Sequence, residues 1–326
     1  MKTQIVYTLI SSEKDYFLEE LWVSLYSFRQ FHPEATVNVL VDEPTKKYME
    51  QFPELCGMIT NIVVVPVPEN NNAKQRSRVI KTTVRNVIDG AYLFVDTDTV
   101  ICKPLDDIDS LTCDMAAVPD GHLPLSECMF PPTNSVNKIF KTDVSDSKYW
   151  FNSGVMFVAD NEQMRKFYKR WNENWTYSCF EKGQSQDQPA LLATDKEFGY
   201  IISELPGIYN AQVAMSLKYF SDAAIVHWWH MSFIENQDYS PYFSLQIYKD
   251  VKKFKGLSEE TIELIKHCKQ SFASPSMPVG KEHIYFLFSP AGKIFNRIYK
   301  EGGVACFLMN KCASILEKIH KYTKKK

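Results

Sequence analysis

Two carboxylates, Asp96 and Asp98, stand one residue apart directly behind the apolar run AYLFV at 91–95. Side chains placed so at a strand-to-loop transition can both reach one hard cation, and Mg²⁺ or Mn²⁺ takes oxygen ligands that it shares with substrate phosphates. Without a counter-charge the pair repel each other, which a bound cation relieves. A bare D-x-D is equally at home in a solvated turn. The setting FVDTDTVICKPL is more specific, with β-branched Thr99-Val100-Ile101 behind the pair and Lys103-Pro104-Leu105 after it. His227 ends a second short apolar run, AAIVH. A satisfied core histidine would fit that run, but a neutral imidazole at a strand end would also complete an oxygen-rich cation site.

Three further groups carry candidate chemistry. Asn152-Ser153-Gly154 is a turn-forming tripeptide, yet Trp150-Phe151 before it and Val155-Met156-Phe157-Val158 after it predict a buried strand in which Gly154 admits close approach by a ligand. Asp187-Gln188 precedes Pro189, so Asp187 either caps the helix that starts there or faces the reacting groups, and the two roles are compatible. Arg78 and Lys81, three apart on a basic segment that also holds Lys74, Arg76 and Arg85, offer two cations to a diphosphate; a solvated helix face is the plainer alternative. Trp22, Trp171 and Trp175 read as core, whereas Trp228 and Trp229, next to His227, are better placed to line a ligand site, with buried packing the alternative for one of them.

These residues need a scaffold, and the text supplies a βαβ rhythm. QIVYTLI (4–10), TVNVLV (36–41) and NIVVVPV (61–67) read as strands, the latter two buried. A helix carries Phe17, Leu21, Leu25 and Phe28 on one face until His32-Pro33 ends it, and a basic helix spans residues 73–88 before Asp89-Gly90 turns into AYLFV. The Pro-rich stretch 124–134 reads as a long surface loop, YWFNSGVMFVAD (149–160) as a strand, and 162–180 as a helix. Alternation of short apolar runs with amphipathic segments predicts an α/β fold with a largely parallel sheet, whose ligand crevice lies at the carboxyl ends of the strands. Beyond residue 235 the periods are helical and lysine-rich. The expected division is therefore a ligand-binding domain over 1–235 and a helical extension over 236–326.

In FVDTDTVICKPL the chain closely resembles the retaining glycosyltransferases of family 8, such as glycogenin and the bacterial lipooligosaccharide galactosyltransferases. The resemblance spans roughly residues 3–232 and continues in order through Arg78, the Asn152-Ser153-Gly154 element, the Asp187-Gln188 pair and His227. It implies a GT-A nucleotide-diphospho-sugar transferase fold, with a mixed, mostly parallel sheet flanked by helices. It implies Mn²⁺ or Mg²⁺ on Asp96, Asp98 and His227, and a UDP-sugar donor contacted by Thr8, Leu9, Asp42, Arg78, Lys81, Asp96, Thr97 and Asp98. Asn152, Asp187 and Gln188 then orient the sugar and a saccharide or lipid-linked acceptor, with retention of anomeric configuration. Where the family has H-x-x-G-x-x-K-P-W, this chain reads HWWHMSFIENQ; His230 is the candidate to take over the phosphate contact of the missing lysine.

Bulk properties narrow the alternatives. The chain of 326 residues with 45% hydrophobic content and a net charge of −2 has the makings of a sizeable core and no general affinity for nucleic acid. The start MKTQIVYTLISS reads as a strand rather than a secretion signal, and eight cysteines without a C-x-x-C pair suggest neither a zinc cluster nor a disulfide framework, hence a reducing cytoplasm. The sequon at Asn174 falls in a helical pattern and carries little weight. A sugar nucleotidyltransferase would share the sheet but open with a glycine-rich loop, in place of which stands ISSEKDYF; a non-catalytic sugar-binding module is the third reading. In the tail, Val304, Phe307, Leu308, Ile315, Leu316 and Ile319 oppose lysines at 311, 318, 321 and 324–326, as in a helix lying on the inner face of a membrane or one packed with a solvated basic edge.

Overall fold

The computed structural model describes residues 1–128, 133–213, 215–228, 245–269 and 289–323. The chain forms two compact units, Met1–Ser274 and Pro275–Lys326. The first contains a seven-stranded sheet in the order β3-β2-β1-β4-β7-β6-β8 and a three-stranded sheet in the order β5-β10-β9. The large sheet is built from β1 (Gln4–Leu9), β2 (Val37–Val41), β3 (Asn61–Val64), β4 (Tyr92–Val95), β6 (Met115–Pro124), β7 (Tyr149–Val158) and β8 (Ile202–Glu204); the small one from β5 (Thr99–Ile101), β9 (Ala211–Gln212) and β10 (Ile225–His227). Strands β3, β2, β1 and β4 run parallel, and β7 runs antiparallel to both its neighbours, β4 and β6.

Period-two alternation sends successive strand residues to opposite faces, and here both faces are apolar because both are covered. Ile5, Tyr7 and Leu9 of β1 join Val37, Val39 and Val41 of β2 and Leu93 and Val95 of β4 in one core, closed by Leu18, Leu21, Trp22 and Phe28 of α1 (Phe17–Phe31). Val6, Tyr92, Phe94, Met156 and Val158 face the other way, onto α4 (Ala73–Thr83), α6 (Glu162–Thr176) and α7 (Gln188–Glu197). Trp171 and Trp175 of α6 are fully buried there, as core tryptophans. Asn174 is buried too, donating to Thr194 Oγ1 at 3.0 Å, so its sequon is no acceptor in the folded chain.

Several boundaries differ from the sequence expectation for identifiable reasons. The third strand stops at Val64 ahead of Pro66 and lies half-exposed at the sheet edge rather than buried, since a proline cannot donate to a ladder. The basic helix ends at Thr83 and tightens into a 3-10 turn over Val84–Asn86. The helix from Glu162 widens into a π-turn over Tyr177–Glu181. Strand β6, whose text MAAVPDGHLP contains two prolines and a glycine, was hidden by them. Part of the Pro-rich stretch, 129–132, lies outside the described residues, as do Trp229 and His230.

Helices α2 (Glu43–Met49), α3 (Pro53–Gly57) and α5 (Thr133–Phe140) complete the scaffold, and α8 (Leu245–Phe254) and α9 (Glu259–Lys266) pack against α1 within the first unit. In the second unit, α10 (Pro290–Glu301) is capped by Ser289 and followed by α11 (Gly303–Thr323). No helix among the described residues is long and apolar enough to cross a membrane.

Glu19 of α1 is fully buried, and among the described residues no hydrogen bond reaches its carboxylate; Lys252 Nζ of α8 is 3.5 Å away. Burial pushes its carboxyl up to about 7, against the weaker pull of its own backbone amide and of Lys252. A folded-state value above the unfolded one of ~4.3 means that the folded chain binds the extra proton. The associated stability is complete below that unfolded value and is lost as pH rises through about 7. Glu19→Gln removes the loss, so urea unfolding at pH 5 and pH 8 should show the variant gaining on the wild type by on the order of 2 kcal/mol across that interval. A difference that does not change with pH would refute the assignment.

Candidate active site

Strand β4 delivers Asp96 at its carboxyl end, where Asp96 N donates to Gly154 O of β7 at 2.7 Å. The chain then passes through Thr97-Asp98 into β5, which pairs antiparallel with β10 in a register that sets Thr99 opposite His227. Trp228 N donates to Asp98 O at 2.9 Å, so the ladder continues one residue past the Thr99–His227 pair. One ligand atom from each of Asp96, Asp98 and His227 lies within 4.8 Å of the others.

Gly154 makes this convergence possible. A Cβ there would stand 2.4 Å from His227 Cε1, 2.8 Å from Asn152 Oδ1 and 3.0 Å from Asp96 Oδ2, inside any van der Waals contact.

A chain of hydrogen bonds fixes the histidine tautomer. Asp120 Oδ1, on β6, accepts from Asn152 Nδ2 at 2.9 Å, which leaves Asn152 Oδ1 to accept from Asn210 Nδ2 at 2.9 Å and from Gly154 N at 2.9 Å. Asn210 therefore turns its own oxygen to His227 Nδ1, 2.9 Å away, and Nδ1 carries the proton. The Nε2 lone pair of neutral His227 then faces Asp98 Oδ1 at 3.2 Å. Two acceptors at that distance call for a proton or a cation between them. Burial opposes protonation of His227, but Asp98 and Asp96 outweigh it and raise its pKa. The two carboxylates and an imidazole presenting Nε2 thus suit a divalent cation by donor type and by orientation.

Cations on α4 balance the remaining charge. Lys81 Nζ lies 3.0 Å from Asp96 Oδ1 and 3.8 Å from Asp187 Oδ2, and Arg78 Nε lies 2.8 Å from Asp187 Oδ1. Burial raises the Asp96 carboxyl, and Lys81 offsets it only in part. At Asp187 burial is outweighed by Arg78, Lys81 and the Ser153 hydroxyl, which donates at 2.8 Å, so its carboxyl falls to about 2. Asp187 occupies the cap position of α7 without capping it, its carboxylate being committed to these partners. Gln188 Nε2 reaches Asp120 Oδ1 and Phe151 O, both at 3.2 Å. The structure thus gathers Arg78, Lys81, Asp96, Asp98, Asn152, Asp187, Gln188 and His227.

The other sequence candidates lie in varied settings. Thr8 is half-buried on β1 beside Leu40, and Leu9 is buried, its side chain in the core. Asp42 caps α2 by accepting from Thr45 N at 2.9 Å and pairs with Arg76 through its second oxygen. Thr97 donates to buried Glu20 at 3.2 Å. Trp228 is buried. Sequence reasoning missed Asp120, Asn210 and Gln212, and named Ser153 within its tripeptide without giving it a role of its own. Gln212 bridges Gly121 N and Pro119 O at 2.8 and 3.0 Å, pinning Asp120 where Gly121 and His122 both take the left-handed conformation. A non-glycine residue so held costs ~1–3 kcal/mol, and such strain gathers at functional sites.

No protein-family model matches the chain, and no curated protein matches its sequence. Among solved structures, the galactosyltransferase LgtC in complex with donor and acceptor sugar analogues aligns with a TM-score of 0.50 at 15% identity, over 80% of this chain and 100% of that one. The fold is GT-A. Apo mouse xyloside xylosyltransferase 1 (TM-score 0.48, 12% identity, 70% of this chain and 97% of that one) and the glycosyltransferase GlyE of Streptococcus pneumoniae TIGR4 (0.48, 15%, 85% and 67%) are also similar. In GT-A terms, the convergence of Asp96, Asp98 and His227 lies at the carboxyl end of β4, where an open α/β sheet binds its ligands.

Because Asn210 orients His227, Asn210→Ala should weaken Mn²⁺ binding by roughly 10- to 100-fold in calorimetric titration while leaving the folded far-ultraviolet spectrum intact. Unchanged affinity would show that the hydrogen-bond chain does not set the ligand.

Proposed function

We propose that this chain is a divalent-metal-dependent glycosyltransferase that transfers a hexose from a UDP-sugar to a saccharide or glycolipid acceptor with retention of anomeric configuration. The observation that carries the reading is the meeting of Asp96, Asp98 and His227 within 4.8 Å in a GT-A fold. These three residues would hold Mn²⁺ or Mg²⁺, which when bound supplies a Lewis acid for the departing diphosphate.

The chain's own groups divide the remaining work. Arg78 and Lys81 keep Asp187 ionised beside the reaction and offset part of the burial that raises Asp96, and their charge favours phosphate oxygens at the same edge. Asn152, Asp187 and Gln188 orient the sugar, with Asp120 as their common anchor through Asn152 and Gln188. In a front-face reaction the leaving phosphate takes the acceptor proton, so no dedicated base is required; Asp187, held near 2, is poor as a general base and better suited to positioning. Thr8, the Leu9 backbone and Asp42 serve the nucleoside end. We propose a catalytic domain over 1–235 that binds nucleotide sugar and metal, followed over 236–326 by a helical extension with a basic amphipathic tail.

Screening UDP-sugars for Mn²⁺-dependent release of UDP tests the reading. The wild type should turn over at least one donor, and Asp96→Ala and Asp98→Ala should each lower turnover by at least about 100-fold. Full metal-dependent turnover in either variant ends the proposal. Pyrophosphate release from a nucleoside triphosphate would favour the nucleotidyltransferase instead.

We also infer peripheral membrane contact through α11. Val304, Phe307, Leu308, Ile315, Leu316 and Ile319 are all exposed, on a helix that carries Lys311, Lys318 and Lys321. At ~1 kcal/mol per lysine near an anionic surface, changing these three to glutamine should weaken co-sedimentation with phosphatidylserine vesicles by about 100-fold. Equal sedimentation of both proteins argues for a helix that serves packing alone.

A further inference from the structure

Cys102 lies just past β5, four residues beyond Asp98, and Cys268 lies in the turn after α9. Their sulfur atoms are 2.9 Å apart although the residues are separated by 166 positions. A disulfide needs a separation of ~2.05 Å, so bond formation asks for sulfur travel of under about 1 Å.

The Cys102 backbone and the side chain of Lys269, next to Cys268, are both tethered to one stretch of chain. Cys102 N donates to Ala224 O at 2.7 Å, and Lys269 Nζ donates to Ala223 O at 2.7 Å and to Ser221 O at 3.0 Å. Helix α1 ties in the same region, because Ser27 Oγ accepts from Ile101 N at 2.9 Å. The approach of the two sulfurs is therefore built into the packing of β5, α1 and the chain ahead of β10. An open cleft of ≈ 270 Å³, lined by Gln30, Phe31, Ile101, Cys102, Lys266 and Cys268 among others, gives a small oxidant access.

We propose that Cys102 and Cys268 form a dithiol that closes to an intramolecular disulfide, covalently joining the segment after α9 to the strand that leaves the Asp96–Asp98 turn. The oxidant is a low-molecular-weight disulfide such as oxidised glutathione. One cysteine thiolate attacks it, breaking its S–S bond and releasing one glutathione thiolate. The second cysteine thiolate attacks the mixed disulfide, forms the Cys102–Cys268 bond and releases the second glutathione. The two cysteines lose two electrons and two protons in all, and the oxidant gains them as two thiols.

The environment also sets the rate. The contact with Cys268, followed by burial, holds the Cys102 thiol well above its ordinary value. Closure is slow at neutral pH and quickens as pH rises, since the thiolate is the nucleophile. The closed loop would enclose β6, β7, α6, α7 and β10, and a cross-link over so long a loop restricts the unfolded chain strongly. The proposal is independent of the sugar-transfer reading.

The test uses the full chain in glutathione buffers from fully reducing to fully oxidising. The expected results are a loss of two hydrogen masses, a proteolytic peptide pair joined through Cys102 and Cys268, and a Tm raised by at least about 5 °C and returned by dithiothreitol. Cys102→Ser and Cys268→Ser should each abolish both the mass loss and the shift. Peptide mapping of the wild type needs no variant to fold. The proposal is overturned if, at full oxidation, both residues remain free thiols while exposed Cys312 reacts, if they carry stable glutathione adducts, or if the cross-link maps to other cysteines.

Discussion

The ammonium of Lys81, only 2% exposed, stands 3.0 Å from Asp96 and 3.8 Å from Asp187, carboxylates brought in by β4 and by the turn before α7. A buried charge is tolerated only when it is compensated, and removing one partner of such a pair typically costs ~3–5 kcal/mol. The basic helix α4 is therefore tied to the sheet edge by charge as well as by the packing of Ile80. What the two α4 cations leave over is negative: Asp98 and Asp120 bring further carboxylates to the same edge. The excess sits around His227 Nε2, where a further cation lowers the electrostatic energy.

The neutral part of the site is as strictly specified as the charged part. Every amide in the series from Asp120 through Asn152 and Asn210 has one orientation open to it, because a carboxylate only accepts and a backbone N–H only donates. The imidazole inherits that direction. Gly154 supplies the space, and the left-handed backbone at Gly121 and His122, held by Gln212, supplies the starting point. Position in this site is thus set by the residues behind Asp96, Asp98 and His227 rather than by those three themselves.

How much of this is legible in the sequence depends on where each residue falls. Asp96 and His227 end unbroken apolar runs, so strand periodicity alone sends them to a sheet edge, and Asp98 follows two residues behind Asp96. Asn152 and Gly154 sit inside such a run, and a polar residue there attracts notice. Asp120 was not legible, because Pro119 and Gly121 beside it disguise β6 as a loop and only pairing with β7 and β8 makes it a strand. Asn210 lies in a 3-10 turn with no periodicity, and Ser153 is overshadowed by its neighbours. Asp187 was open between capping and the site until its carboxylate was seen to turn towards Arg78 and Ser153. Cys102 and Cys268 share no local pattern, since what relates them is the docking of α9 on α1.

These partners belong to distant parts of the chain, and that has a thermodynamic consequence. Asp98 and His227 are separated by more than a hundred residues and meet only through the β5–β10 ladder, which in turn rests on α1 through Ser24, Ser27 and Thr99. Neither a local turn nor an isolated hairpin can assemble the set, so the loop-closure entropy is met by formation of the whole core. A cation held by all three side chains would bind the folded chain and find no comparable site in the unfolded one. Its binding energy would add directly to the stability of the fold. The same reasoning explains why the site tolerates two facing acceptors at Asp98 and His227 and a strained backbone on β6: their cost is borne by the apolar layers on both faces of the large sheet, which form regardless of what its edge holds.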